Sequence, residues 1–168
     1  MSWLTAIVLA GAASVGGLEL GMDGSAVSGA LARECERVDT VAVAPPRTPL
    51  AARTEVHMRC FGVLGDGRVE DADFLIADGR LRMIELRGAQ VGQWVSSRAR
   101  ADAADLAGFS VFRDDGLILD AAANRAWVVN PADVRAYGFL QPDPFGVFPE
   151  VSEVAPPERP AILEMDGS

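Results

Sequence analysis

The spacing of apolar side chains from Gly21 to Val38 predicts an amphipathic helix. Four of them recur at steps of four, four and three, which places them on one helix face: Val27, Leu31, Cys35 and Val38. Asp23 or Ser25 can cap the amino end of this helix through a side-chain oxygen. Three prolines between positions 45 and 49 then predict a connecting loop.

Alternation of apolar and polar residues follows this loop and predicts strands. From Thr54 to Leu64 the apolar residues Val56, Met58 and Cys60 alternate with polar ones. A second alternating run, Val69 to Ala77, is separated from a third, Leu81 to Leu86, by a two-residue hairpin signal at 78–79, Asp-Gly. We therefore expect three consecutive antiparallel strands.

The Asp-Gly turn also predicts the register of its hairpin. With these two residues as the loop, Ala77 faces Arg80 and Phe74 faces Met83. One face of the hairpin then carries five apolar side chains: Ala72, Phe74, Ile76, Leu81 and Met83. Glu85 falls on that same apolar face.

The second half of the chain repeats the helix-then-strands order. Trp94 to Ala107 carries an apolar stripe and predicts a helix that ends before Gly108. Three strands follow, at Phe109–Phe112, Leu117–Leu119 and Ala126–Val129, and Asn130-Pro131 predicts a short helix that stops at Gly138. The expected fold class is α+β, with an antiparallel sheet of about six strands in two three-stranded units, covered by helices on one face.

The two ends differ in composition from this body, which we place at residues 18–140. Trp3 to Val15 is an uncharged apolar run followed by small residues, so residues 1–17 read as a signal peptide. No Lys or Arg precedes the run, which leaves open an uncleaved anchor or a buried first element. Residues 141–168 are rich in proline and acidic residues. We expect a strap that places Phe145 and Phe148 on the body, followed by a flexible acidic tail.

Composition excludes several classes of protein. Hydrophobic residues make up 49% and charged residues 23% of the 168 residues, which are the values of a globular domain. The net charge of -9 repels phosphate backbones, so we expect no nucleic-acid partner. No window holds the roughly 20 apolar residues that a spanning helix needs, so we expect no transmembrane span in the mature chain.

Both cysteines lie on apolar faces of predicted elements, so both are expected to be buried. Cys35 lies on the apolar stripe of the first helix, and Cys60 shares a strand face with Val56 and Met58. We expect a Cys35–Cys60 disulfide if the chain is exported, and two buried free thiols if it is not.

Few residues can support catalysis, so the chain is predicted to be non-enzymatic, with no cofactor. His57 is the one histidine, the chain has no lysine, and no metal site is expected. The alternative is a small carboxylate-dependent hydrolase that uses Glu70, Asp73 or Glu85. Three arginines form the one local basic cluster and are candidates to bind a carboxylate-bearing partner: Arg80, Arg82 and Arg87.

The segment from Leu18 to Leu31 contains Leu-Gly-Met-Asp-Gly-Ser, then Val27 and Leu31 at helical spacing. This pattern resembles the opening of SmpA/OmlA-type outer-membrane-assembly lipoproteins and of β-lactamase-inhibitor-protein-like envelope domains. The resemblance implies a helix-then-sheet fold and an extracytoplasmic module, periplasmic or secreted, whose partner is another envelope protein. A cytoplasmic domain of unknown role remains the alternative.

Overall fold

A computed structural model describes residues 14–64, 67–100 and 102–133. Most of the signal-peptide prediction (1–17), the Pro-rich strap and acidic tail (141–168), and the end of the last predicted helix at Gly138 lie outside the described residues.

The described chain is an α+β fold built on one antiparallel sheet. Its elements in chain order are α1 (Gly24–Glu34), β1 (Arg37–Val43), β2 (Glu55–Leu64), β3 (Val69–Ala77), β4 (Arg80–Arg87), α2 (Val91–Ser96), β5 (Ala104–Leu106), β6 (Phe109–Phe112), β7 (Leu117–Asp120) and β8 (Arg125–Val129). Short 3-10 turns occupy Arg113–Asp115 and Pro131–Asp133.

The sheet has eight strands in the order β1-β2-β3-β4-β8-β7-β6-β5. Each half of the chain is one helix followed by four consecutive antiparallel strands, and the halves meet where β4 pairs with β8. The sequence predicted the α+β class, the antiparallel sheet and the helix-then-strands repeat. The six-strand count differs from the structure because β1 and β5 were assigned to helices or connections.

Both helices pack on one face of the sheet. Val27 and Leu31 of α1, and Val91, Trp94 and Val95 of α2, are buried in one hydrophobic cluster with that face. The sheet contributes its apolar side chains there: Met58, Cys60, Ala72, Phe74, Ile76, Leu81, Ile84, Leu86, Leu117, Ala126 and Val128. This is the larger core, and removal of its apolar area from water drives the packing of the helices.

The opposite face carries a second, smaller cluster. Its buried members are Leu75, Ala77, Met83, Val111, Ile118, Trp127 and Val129. Leu50 and Ala51, from the loop between β1 and β2, pack against it together with Phe109. The rest of this face is polar and holds the charged groups of the candidate site.

The turn between β3 and β4 has the predicted form. Asp78 and Gly79 both have positive φ, 50° and 80°, as a type I′ turn requires. Ala77 pairs with Arg80 as predicted, but a bulge between Leu75 and Ile76 shifts the rest of the register. Met83 therefore lies opposite Leu75 rather than Phe74.

This bulge corrects the predicted faces of β4. Ile84, not Met83, joins the helix-side core, and Met83 joins the smaller cluster on the other face. Glu85 lies opposite Asp73 across β3 and β4, so it belongs to the polar face and not to the main hydrophobic core.

Both predicted helices were too long. α1 ends at Glu34, and Val38 lies in β1, where the β-branched residues Val38, Thr40, Val41 and Val43 favour a strand. In α2, Ser97 Oγ donates to the carbonyl of Trp94, and the helix ends at Ser96.

The segment after α2 forms a hairpin instead of continuing the helix. β5 pairs with β6 through a turn in which Ala107 and Gly108 have positive φ, 54° and 88°. Pairing with the sheet thus overrides the helix propensity of this alanine-rich segment. No helix in the described part of the chain has the length and apolar character to cross a membrane.

Candidate functional site

The polar face of the sheet is organised around two buried carboxylates, Asp73 on β3 and Glu85 on β4. Arg59 of β2 binds Asp73 with two parallel hydrogen bonds, Nε to Oδ1 and Nη2 to Oδ2, both 2.8 Å. Arg87 of β4 donates from Nη1 to Asp73 Oδ2 and to Glu85 Oε1, each at 2.8 Å, and from Nη2 to Asp73 Oδ1 at 3.0 Å. One guanidinium therefore bridges both acids.

The second half of the chain completes this arrangement. Arg125 of β8 donates to both oxygens of Glu85, at 3.2 and 3.0 Å. The indole Nε1 of Trp127 donates to Glu85 Oε2 at 2.9 Å, and the guanidinium of Arg125 lies 5.0 Å from the centre of the Trp127 ring. We call Arg59, Asp73, Arg87, Glu85 and Arg125 the arginine–carboxylate ladder. It ties β2, β3 and β4 to β8.

The acidic side chains of the ladder are more deeply buried than the basic ones. The side chains of Asp73 and Glu85 are 0% and 2% exposed, whereas those of Arg59, Arg87 and Arg125 are 18%, 27% and 29% exposed. The acids therefore lie within the protein, and the guanidiniums cover them from the solvent side.

The electrostatics of Asp73 follow from these contacts. Burial by itself raises the pKa of a carboxyl group, but the hydrogen bonds and charges of Arg59 and Arg87 outweigh burial. They hold the pKa of Asp73 below its ordinary value. Burial would also lower the pKa of Arg87, yet Asp73 and Glu85 raise it. Both groups are ionised across the physiological range.

The carboxylates of the alternative hydrolase prediction lie in two different settings. Asp73 and Glu85 are neighbours, and each is bound by two arginines. Glu70 is exposed, and its Oε1 accepts a hydrogen bond from the Ala89 amide at 3.3 Å. A general acid needs a carboxyl group that holds a proton near neutral pH, and the arginines around Asp73 oppose this.

A third buried acid, Glu55, connects the sheet to the Pro-rich loop. Its Oε1 lies 2.5 Å from Nε2 of His57, and its Oε2 accepts the backbone N–H groups of Arg47 and Thr48 at 2.7 and 2.8 Å. Burial opposes ionisation of Glu55, but His57 and the two amides outweigh it and lower its pKa. The pair fixes the loop that carries Leu50 and Ala51 over the smaller cluster.

Cys35 and Cys60 form a disulfide. The S–S distance is 2.04 Å, the Cα atoms are 5.6 Å apart, and the two cysteines are 25 positions apart in the chain. Cys35 is the C-cap of α1 and Cys60 is a fully buried residue of β2. The bond therefore fastens the end of the first helix to the sheet.

Of the three arginines predicted to bind a partner, the structure brings two together. Arg80 and Arg82 line a surface depression of about 260 Å³ with Leu20, Gly21, Leu81 and Asn130. Arg80 Nη1 is 3.4 Å from the Gly21 carbonyl, and Arg82 Nη2 donates to Asp133 Oδ2 at 3.1 Å. Arg87 is not part of this lining and lies in the ladder instead.

The ladder as a whole was not predicted from the sequence. Its signal is the placement of Asp73, Glu85 and Arg87 at alternate positions of two adjacent strands, which puts them on one face. Recognising it requires the position of the bulge and the pairing of β4 with β8, which bring Arg125 and Trp127 to Glu85 from 40 and 42 positions away.

Within residues 14–64, 67–100 and 102–133, no group of three or more His, Cys, Asp or Glu side chains is placed to hold a metal ion. Comparison of the chain with protein-family models, with curated proteins and with solved structures finds no match.

Proposed function

We propose that this protein is an exported, disulfide-bonded binding module of the cell envelope, and that it recognises a carboxylate-bearing segment of another envelope protein. The observation that carries the proposal is the disulfide between Cys35 and Cys60. Structural disulfides form and persist in oxidising compartments and are rare in the reducing cytosol, so this bond is compatible with an extracytoplasmic location. The apolar run from Trp3 to Val15 supports the same compartment.

The state of the polar face supports a structural rather than a catalytic role for its acids. Asp73 and Glu85 are enclosed by charge-assisted hydrogen bonds from arginines, and Asp73 has a lowered pKa. Such groups stabilise a rigid sheet. Their oxygens are not exposed to a substrate, and the lowered pKa of Asp73 opposes a role for it as a general acid. The helix-then-sheet order of both halves is also the build that the resemblance to envelope domains implies.

The depression at Arg80 and Arg82 is the surface that we propose for recognition. Both arginines lie on β4 at alternate positions, and Leu20, Gly21, Leu81 and Asn130 complete the lining of the depression. A guanidinium has five N–H donors, and in the part of the chain that the structure describes Arg82 donates from Nη2 to Asp133. A carboxylate of a partner can bind the remaining donors through forked hydrogen bonds.

The export part of the proposal is tested by intact-mass analysis of the protein recovered from its native cell. The samples are alkylated with and without prior reduction. We expect a mass below that of Met1 to Ser168, and label at Cys35 and Cys60 only after reduction. A full-length chain from the cytosol with both thiols labelled before reduction contradicts the proposal.

The recognition part is tested with an oligo-glutamate peptide as the probe. We expect the arginine side-chain NMR signals of Arg80 and Arg82 to shift on titration, and the shifts to disappear in an R80A/R82A variant. The charge-matched control is R33A/R113A, which removes two exposed arginines outside the depression. Equal binding by both double variants would remove the assignment to this depression.

A further inference from the structure

The outer edge of β1, residues Arg37–Val43, is the longer of the two open edges of the sheet. β1 pairs with β2 on its inner side over all seven residues. On its outer side, no strand of the part of the chain that the structure describes pairs with it. Every residue of β1 is exposed or half-buried. Its outward backbone N–H and C=O groups are therefore available to another strand.

The sequence of β1 lacks the devices that usually protect an edge strand. Its only charges, Arg37 and Asp39, lie at the start and bind each other at 3.3 Å. From Thr40 to Val43 the strand is uncharged and rich in β-branched residues. β1 contains no proline, and its pairing with β2 is continuous from 37 to 43. A regular edge strand whose two charges pair with each other and whose last four residues are uncharged favours pairing with another strand.

The opposite edge of the sheet offers a poor match for β1. β5 spans only three residues, Ala104–Leu106. Pairing of β1 with β5 of another copy would leave more than half of β1 unpaired and would extend into an open filament. Pairing of β1 with β1 of a second copy matches seven residues with seven and closes by two-fold symmetry.

We propose that two copies of this chain associate through antiparallel pairing of their β1 strands, centred on Thr40. In this register Thr40 faces Thr40 of the second copy, Asp39 faces Val41, and Arg37 faces Val43. No like charges lie directly opposite each other, and threonine pairs are favourable cross-strand neighbours. The two sheets then continue into one sheet of sixteen strands.

The two-fold arrangement keeps like faces together. In an antiparallel pair centred on one residue, even-numbered residues face even-numbered ones and odd-numbered residues face odd-numbered ones. Directly opposite side chains point to the same side of the sheet, so the helix-covered faces of both copies lie on one side. The disulfides and the ladders stay outside the pairing, because Cys35 lies before β1 and the ladder begins at β2. The depression at Arg80 and Arg82 is on β4, three strands from the new junction, and remains open in each copy.

The test uses charge at the symmetry axis. In T40K, two lysines face each other across the junction, and in T40E two glutamates do so. Each variant alone should dimerise up to about fivefold more weakly than the unmodified chain, because like charges directly opposite destabilise strand pairs. An equimolar mixture of T40K and T40E should restore the dimer as a mixed pair, since opposite charges then meet.

Mass is measured by light scattering on the eluting full chain over a dilution series. The expected mass of the unmodified protein is twice 17.7 kDa. The matched control is T54K, which places the same charge on an exposed threonine outside β1 and should leave the dimer unchanged. Circular dichroism verifies that each variant is folded.

Each outcome decides the proposal. A dimer that weakens in T40K and in T40E and returns in their mixture supports it. A monomer across the dilution series overturns it. A dimer as strong in both single variants as in the unmodified chain also overturns it, because association then occurs through another surface. These outcomes are independent of export and of peptide binding at Arg80 and Arg82.

Discussion

Asp73 of β3 lies directly opposite Glu85 of β4, and Nη1 of Arg87 donates to both carboxylates. Two acids side by side in a sheet would repel each other, and this cation between them removes the repulsion. Arg59 and Arg125 then bind the outer side of each acid. The five groups form one network, so the loss of any member removes an ion pair from at least one of its neighbours.

Replacement of Asp73 by asparagine should therefore destabilise the fold strongly. D73N keeps the shape of the side chain but removes the carboxylate that Arg59 and Arg87 both bind, so Arg87 keeps only its bond to Glu85. Breaking one side of a buried pair costs about 3–5 kcal/mol, and the partial exposure of both arginines favours the lower end of that range. Urea unfolding measures the loss. The control D114N removes a carboxylate from an exposed turn and should change stability by less than about 0.5 kcal/mol.

Stability should also fall in acid. The folded-state pKa of Asp73 lies below its ordinary value, so its stabilisation is fully present above the unfolded pKa of about 3.9. It is lost as the pH falls from there through the lower folded value. Unfolding free energies measured between about pH 5 and about pH 2 should decrease, and D73N should show a smaller decrease. Parallel curves for the two proteins would contradict this assignment.

The acid-sensitive region should include the loop before β2. Asp78 accepts the backbone N–H groups of Ala52, Arg53 and Thr54 at 2.8 to 2.9 Å, and these bonds lower its pKa. The pH dependence has the same direction as for Asp73. The three bonds stabilise the fold above the ordinary pKa of an aspartate, and this stabilisation is lost as the pH falls below it. In D78N, which keeps a residue that tolerates positive φ, amide exchange at positions 52–54 should increase near neutral pH. Unchanged protection there would show that these bonds contribute nothing.

Local patterns were sufficient to predict the hairpin at Asp78 and Gly79, because the turn type depends only on two residues that accept positive φ. The bulge between Leu75 and Ile76 has no comparable local signal. A shift of one residue moves every later side chain to the other face of a strand. For this reason the predicted faces of Met83, Ile84 and Glu85 differed from the structure.

The site was less predictable than the fold because its parts lie far apart in sequence. Arg80 and Arg82 were identified as a cluster by their spacing on one strand, and they do line one depression. The ladder instead depends on β4 pairing with β8, a contact between the two halves of the chain. Sequence spacing gives no information about that pairing, so neither Arg125 nor Trp127 could be placed beside Glu85 beforehand.

Gly116 should not tolerate a side chain. It has φ of +65°, and a Cβ atom there would lie 2.1 Å from the carbonyl oxygen of Val129. The Val129 amide in turn donates to the Gly116 carbonyl at 2.8 Å, so neither backbone can move without loss of that bond. G116A should cost on the order of 2–3 kcal/mol in thermal or urea unfolding. G92A, in α2 with open space around it, should be neutral or stabilising by about 0.5 kcal/mol.

The disulfide should contribute both to global stability and to the docking of α1. It closes a loop across 25 residues, and loop closure of this length restricts the unfolded chain by about 3 kcal/mol. α1 buries only Val27 and Leu31 in the core, so the Cys35–Cys60 bond is a large share of its attachment. The C35A/C60A variant avoids buried polar groups and should lose about that free energy of unfolding in denaturant.

Amide exchange in α1 of this variant should increase more than exchange in β3, because β3 keeps its pairing with both neighbouring strands. The unmodified protein with a reductant serves as the matched control and should unfold like the variant. If the reduced and oxidised proteins unfold at the same denaturant concentration, the bond does not stabilise this fold.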